Sequence, residues 1–316
     1  MPAAEAGPQA TPAWVYTHPA CLAHDPGPGH PECPQRLAAL LEALRAGLPQ
    51  LTWRQAPPAS RGQLLRVHAP ALLAQVLDDP PAAPRRLDPD TVLAPGSADA
   101  ALRAAGAAVA GVDAVLGDAG PRRAFCAVRP PGHHATADTA MGFCLFNNVA
   151  VAAAHALEAH GLARVAIVDF DVHHGNGTQA IFAADPRVLF LSSHQRPLYP
   201  GSGDACERGV GNLGNAPLPP GADGAAFRAA WREHLLPRLE GFRPQLLLVS
   251  AGFDGHRRDP LAQLQLEAED FAWLTAELVA SARRHAGGRI VSSLEGGYDL
   301  QALAECALAH VRALAG

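Results

Sequence analysis

Arg-Val-Ala-Ile-Val-Asp-Phe-Asp-Val-His-His-Gly-Asn-Gly, residues 164–177, is the stretch whose reading decides the fold. It starts as a continuous apolar run, the pattern of a strand buried on both faces in a parallel sheet. It then sets Asp169, Asp171 and His173 at alternate positions, which in an extended chain share one face. A sheet interior does not hold two carboxylates and an imidazole without compensation, and a divalent metal supplies it. The competing reading is a strand that has already ended, with a polar loop exposed to water.

Working outward, apolar runs at 124–128, 188–193, 245–250 and 289–294 read as further strands, and Trp14–His18 as a first short one. Leu64–His68 reads as another, followed by a helix through Leu77. Helices are expected at 35–46, 97–117 with Ser97 as N-cap, 148–160 opened by Asn147 or Asn148, 178–184, 223–238, 267–286 and 300–314. Trp273 and Leu274 fall on the buried stripe of the 267–286 helix, and 209–221 reads as irregular Gly/Pro loop. Arg36 sits in the first turn of its helix, where the dipole disfavours a cation, so its guanidinium is wanted for something or simply solvated. Strands alternating with helices, with no repeat and no linker, predict one α/β domain with a mainly parallel central sheet flanked by helices. Residues 1–12, rich in Pro and Ala, are expected to be a disordered tail before a single catalytic domain at 13–316.

Composition narrows the classes. The 316-residue chain is 48% hydrophobic, with 30 Gly and 29 Pro, so a large core and stiff loops are expected. A net charge of −5 gives no electrostatic footprint for nucleic acid. The six cysteines form no Cys-x-x-Cys pair and read as reduced thiols packing as small hydrophobes. No apolar run is long enough for a bilayer and no leader pattern opens the chain, so a cytoplasmic protein with no membrane partner is expected.

Five loops follow predicted strands: 129–134, 169–176, 194–201, 251–254 and 295–298. In a parallel sheet their tips share the C-terminal edge, where open α/β sheets place ligand sites. Together they offer Asp171, His173 and Asp254 as three metal ligands with a position left open, as in catalytic zinc sites. Two carboxylates and one imidazole make a harder mix than zinc usually has, and one that also accepts iron or cobalt. The adjacent His133 and His134 can handle protons. Asp169 could bond one and raise its basicity, while the amide of Asn176 orients the other, separating the two as base and acid. Tyr298, on a Gly-Gly turn, is a donor for a developing oxyanion. No nucleophilic Cys, Ser or Lys with a paired base is evident. The chemistry is metal-assisted attack of water on a carbonyl, an amide first of all.

These residues resemble the zinc-dependent histone deacetylase family, including its bacterial acetoin-utilisation-type and acetylpolyamine amidohydrolase members. The motifs are Arg-Pro-Pro-Gly-His-His-Ala (129–135), Gly-Phe-Cys-Leu-Phe-Asn-Asn (142–148), Asp-Phe-Asp-Val-His-His-Gly-Asn-Gly-Thr (169–178), Tyr-Pro-Gly-Ser-Gly (199–203), Ala-Gly-Phe-Asp (251–254) and Leu-Glu-Gly-Gly-Tyr (294–298), in the family's order. The resemblance implies the arginase/deacetylase fold, one Zn²⁺ per subunit on Asp171, His173 and Asp254, and removal of acetyl or other short acyl groups from acyl-lysine side chains. It implies His134 as general base and acid, His133 as its electrostatic partner bonded to Asp169, and Tyr298 polarising the carbonyl. Asn176 replaces a second aspartate, as in the class II pattern. By the same resemblance Gly142, Phe143, Tyr199 and Leu261 line the substrate channel, with Tyr199 where Phe is frequent. Arg36, Gly296 and Gly297 line a product exit, and a structural K⁺ uses Asp169, Asp171, His173, Ser192 and Ser193.

Leu261 stands where a polyamine-specific branch has Glu, which favours an acyl-lysine substrate. Glu32 and Asp25 lie in a loop that could frame the mouth, so small acylated amines stay open. An arginase-type two-metal site lacks its acids at Gly175 and His256, and a non-catalytic acyl-lysine reader is the alternative of another class. A homo-oligomer is compatible with the sequence.

Overall fold

The computed structural model describes residues 13–316, so the expected tail at 1–12 lies outside the described residues. The strands are β1 (Ala13–Thr17), β2 (Thr52–Gln55), β3 (Arg85–Arg86), β4 (Val92–Leu93), β5 (Arg123–Cys126), β6 (Val165–Asp169), β7 (Val188–Gln195), β8 (Leu213–Leu218), β9 (Leu246–Ala251) and β10 (Ile290–Leu294). β3 and β4 form a small antiparallel ribbon, and the other eight form one sheet in the order β2-β1-β5-β10-β9-β6-β7-β8. Every neighbouring pair in the large sheet is parallel. The expected α/β architecture is therefore present, with all the strand C-termini along one edge. β5, β6, β7, β9 and β10 are buried at every position. Burial of both faces is why these strands read as unbroken apolar runs. Helices Ser97–Leu116 and Asn148–Glu158 pack together, as do Ala268–His285 and Leu300–Ala315, the last also against Pro34–Gly47.

The alternation expected through 169–173 is corrected: β6 ends at Asp169, and Asp171 and His173 lie in the loop beyond it. Carboxylates take over the backbone donors there. Asp169 Oδ1 accepts the N–H of Asp171, Asp254 Oδ1 that of Val172, and Asp171 Oδ1 that of His173, at 3.1, 2.9 and 2.8 Å. The loop is nevertheless buried, so the exposed-loop alternative fails too.

Four other expectations are corrected. Residues 64–68 are not a strand: Ser60 and Gln63 form a capping box that starts a short helix, Arg61–Leu64, and Pro70 opens the next. The 209–221 segment contains β8, whose Gly, Asn and Pro are tolerated because it is the edge strand. The 223–238 helix is broken by a π-turn at Trp231–Leu235, where Pro237 has no N–H to continue the α ladder. Ser97 is the first helical residue, after Gly96; its Oγ accepts the Ala94 N–H and bonds His24. Trp273 is half-buried under two arginines, whereas Leu274 is fully buried. All six cysteines are free, and Cys21, Cys126, Cys144 and Cys306 are buried.

Two buried histidines away from the sheet edge give a pH prediction. His310 joins Thr275 (2.6 Å) to Ser292 (2.9 Å), and burial pushes its pKa down to about 3. His68 Nδ1 bonds Thr136 O (2.9 Å), and its Nε2 accepts the Asn147 N–H (2.9 Å); burial lowers it to about 4. Both are neutral in the fold, so the unfolded chain binds more protons below its ordinary value near 6.5. Their contribution is complete above that value and is lost as pH falls toward 4, roughly 3 kcal/mol or more for each. Glu295 and Asp259, each raised to about 7 by burial, titrate in the opposite sense over the same interval. The test is therefore a comparison: urea unfolding midpoints of wild type should lose more between pH 7 and pH 4.5 than those of His310→Gln. An identical pH dependence in the two proteins would contradict the neutral-imidazole assignment of His310.

Candidate active site

The C-terminal edge gathers side chains from five loops. Beyond β6 lie Asp171 and His173, and beyond β9 lies Asp254. His173 Nδ1 stands 3.1 Å from Asp171 Oδ1 and 3.1 Å from Asp254 Oδ2. One ligand atom from each falls within 4.8 Å of the others, and all three residues are buried. Burial opposes charge on His173, yet the two carboxylates raise it to about 10. Two buried carboxylates thus demand a cation at this point, and a divalent metal answers that demand with the donor set zinc takes. The approach is close enough to require glycine: a methyl group at Gly252 would overlap Asp171, and one at Gly296 would overlap Asp254.

Beyond β5, the chain presents His133 and His134 with ring centroids 4.0 Å apart. They have different partners. His133 Nδ1 bonds Asp169 Oδ2 at 2.9 Å, and His134 Nδ1 bonds Asn176 Oδ1 at 2.8 Å. Burial disfavours the charged form of both. At His133 the carboxylates of Asp169 and Asp171 outweigh burial and raise its pKa well above the ordinary value. At His134 the charge on His133 and His173 adds to burial and holds it well below. The asymmetry read from the sequence is thus built into the site.

Two further carboxylates escaped that reading. Glu295 Oε2 accepts the N–H groups of Gly132 (2.6 Å) and His133 (3.2 Å), and its Oε1 accepts from Ser250 Oγ, so a buried acid fixes the histidine loop. Asp259 accepts the N–H of Tyr298 and of Leu261, tying two pocket walls together.

A cavity of about 230 Å³ opens over these groups, walled by Gly142, Phe143, Leu198, Tyr199, Leu261 and Tyr298, with His134 and His173 at its depth and Asp90 also on its lining. Every sequence-predicted channel residue is there. Gly142 and Phe143 both take positive φ, 56° and 66°. The first needs glycine because a Cβ would overlap the His134 ring, and the second is a strained conformation for an aromatic residue, held by a hydrogen bond from Phe143 N to Thr91 Oγ1. Asp90 was not found from the sequence; it arrives on the β3–β4 ribbon, where Asp-Pro-Asp reads only as a turn. A larger cavity of about 980 Å³ beside β8 carries no comparable constellation.

Arg36 is fully buried, which answers the question left by its helix position. It donates to Gly297 O and Glu295 O, pairs with Glu32, and its guanidinium lies 4.7 Å from the Tyr298 ring centroid. Arg36, Gly296 and Gly297 therefore meet behind the site. Glu32 is corrected: it is not at the mouth but buried between Arg129 and Arg36, whose charges, with a hydrogen bond from His24, hold its carboxyl, against burial, far below the usual range. Asp25 is exposed and accepts the Gly27 N–H. Of the residues expected around K⁺, Asp169 and Ser192 are register partners on adjacent strands, and Ser193 follows in the chain.

Residues 30–314 match the histone deacetylase domain. The chain is 45% identical over 298 residues to the histone deacetylase-like amidohydrolase of Pseudomonas aeruginosa, covering 91% of this chain and 77% of that protein. It is 42% identical over 308 residues to the human protein named polyamine deacetylase HDAC10, covering 90% of this chain and 45% of that one. The crystal structure of the HDA15 HD domain superposes with a TM-score of 0.92 at 34% identity, over 97% of this chain and 88% of that chain. No helix among the described residues is long and apolar enough to cross a membrane.

Proposed function

The chain belongs to the histone deacetylase family and is a deacetylase-type hydrolase, and from that premise we propose that it removes short acyl groups from N-ε-acyl-lysine side chains. The observation that carries the reading is the convergence of Asp171, His173 and Asp254 beneath a narrow pocket beside two differently held histidines. Asp171, His173 and Asp254 would hold Zn²⁺, which supplies Lewis acidity to the acyl carbonyl and to the attacking water. His134 donates Nδ1–H to Asn176 and so leaves Nε2 free to take a proton from that water, then returns it to the leaving amine. His133, charged against Asp169, stabilises the anionic intermediate at short range. Tyr298 stays protonated because burial and the nearby acids outweigh Arg36, and it donates to the developing oxyanion. K⁺ would sit where Asp169, Asp171 and His173 adjoin Ser192 and Ser193, and the product acid would leave past Arg36, Gly296 and Gly297. The 13–316 segment would act as one catalytic domain.

The apolar neck formed by Phe143, Leu198 and Leu261 suits the methylenes of a lysine side chain. One observation favours a second reading, small acylated amines: the Asp90 carboxylate on the lining could pair with a second amine. The test compares kcat/KM for acetyl-lysine peptides, longer acyl-lysine peptides and acetylputrescine, with and without a chelator. Peptides should exceed acetylputrescine by about tenfold or more. Both carry the same four methylenes, so the difference is the free ammonium that acetylputrescine must hold beside the apolar Leu198 and Leu261 walls. The opposite order would assign the enzyme to small amines, and turnover that survives complete metal removal would refute the mechanism.

A further inference from the structure

Asp113, His155 and His160 form a second constellation, remote in sequence from the catalytic loops. Asp113 lies in the last turn of the Ser97–Leu116 helix, His155 in the last turn of the Asn148–Glu158 helix, and His160 just past its end. Both imidazoles aim Nε2 at the same oxygen, Asp113 Oδ1, each at 2.7 Å, and their ring centroids are 5.3 Å apart. We propose that this triad is a second metal site, taking a first-row divalent transition ion such as Zn²⁺ and clipping the ends of the two helices together.

Three features support it. The donors are two imidazoles and a carboxylate, a set that zinc accepts, and one ligand atom from each lies within 4.8 Å of the others. A carboxylate near a helix C-terminus is electrostatically misplaced, and here two helix C-termini, each with partial negative charge, converge on one spot. A cation corrects both. Asp113 and His160 are exposed, so water can complete the coordination.

One neighbour opposes the ion, and it makes the proposal sharper. The Arg66 guanidinium donates to His155 Nδ1 at 2.8 Å, which puts the imidazole proton on Nε2, facing Asp113. Metal binding must displace that proton: His155 has to present the Nε2 lone pair and carry its hydrogen on Nδ1, where Arg66 now donates. Arg66 is exposed and can swing into water. The ion therefore competes with Arg66, whose guanidinium must leave Nδ1 before the ring can turn its Nε2 lone pair to the metal.

The full chain, already loaded at its catalytic site, is dialysed against low-micromolar free Zn²⁺ and its metal counted by mass spectrometry. Wild type should retain one zinc more than His160→Ala or Asp113→Asn, and saturating zinc should raise its Tm by about 2 °C, a shift absent from both variants. Arg66→Ala should retain the extra zinc at lower free metal. Neither His160 nor Asp113 touches the catalytic pocket, so both variants should deacetylate normally at low zinc, which establishes that they are folded. Equal zinc in wild type and both variants overturns the site, and weaker retention in Arg66→Ala overturns coordination through His155 Nε2.

Discussion

Tyr298→Phe should lower kcat by about 10²- to 10³-fold while metal content and Tm stay near wild type, because one preorganised donor to an oxyanion is worth that much. The substitution removes a single oxygen. The ring remains packed edge-on to Phe143, with centroids 5.8 Å apart, and still lies under the Arg36 guanidinium. The backbone N–H keeps its bond to Asp259, so the loop does not move for want of a contact. KM should change little, since the donor matters most where negative charge develops. Steady-state kinetics with a zinc assay on the same preparation checks it. Turnover within a few-fold of wild type would mean that the oxyanion donor is another group.

How far the sequence could be read follows from how far apart its partners lie. β6, β9 and β10 were legible because burial on both faces leaves an apolar run that local pattern detects. The candidate metal group was legible because each acid or imidazole follows such a run. Glu32 was not. Its meaning depends on Arg129, 97 residues away, and only the folded chain shows that the pair is buried. Glu295 stands inside a recognisable motif, but its role lies in the folded contact of its carboxylate with the Gly132 and His133 amides, 163 and 162 residues away. Asp90 sits in a turn-forming sequence, and what brings it to the pocket is the Thr91–Phe143 hydrogen bond across 52 residues. β8 failed for a different reason: an edge strand needs only one ladder, so Gly and Pro survive in it and erase the strand pattern.

Asp254→Ala should abolish zinc at the catalytic site and with it the activity. Loss of one of three protein ligands costs more than the roughly 10- to 100-fold in affinity typical of groups that only orient a ligand. Asp254 has two duties, and they can be separated. Its Oδ2 faces His173 Nδ1, and its Oδ1 accepts the Val172 N–H at 2.9 Å, holding the loop that carries Asp171 and His173. Alanine removes both; asparagine keeps an acceptor for Val172 while losing the charge. Burial and the neighbouring Asp171 charge raise the pKa of Asp254, so in metal-free protein its carboxylate is a liability as well as a tether. Asp254→Asn should therefore match wild type in Tm without metal, yet lack the part of the zinc-induced rise in Tm that the catalytic site gives the wild type, keeping only the small rise from the Asp113–His155–His160 site. Asp254→Ala should fall below both without metal, by the worth of the lost Val172 bond, about 1–3 kcal/mol. Were either variant to bind a full equivalent of zinc at the catalytic site with unchanged affinity, Asp254 would leave the ligand set, and the remaining pair, Asp171 and His173, would be too few to anchor the ion.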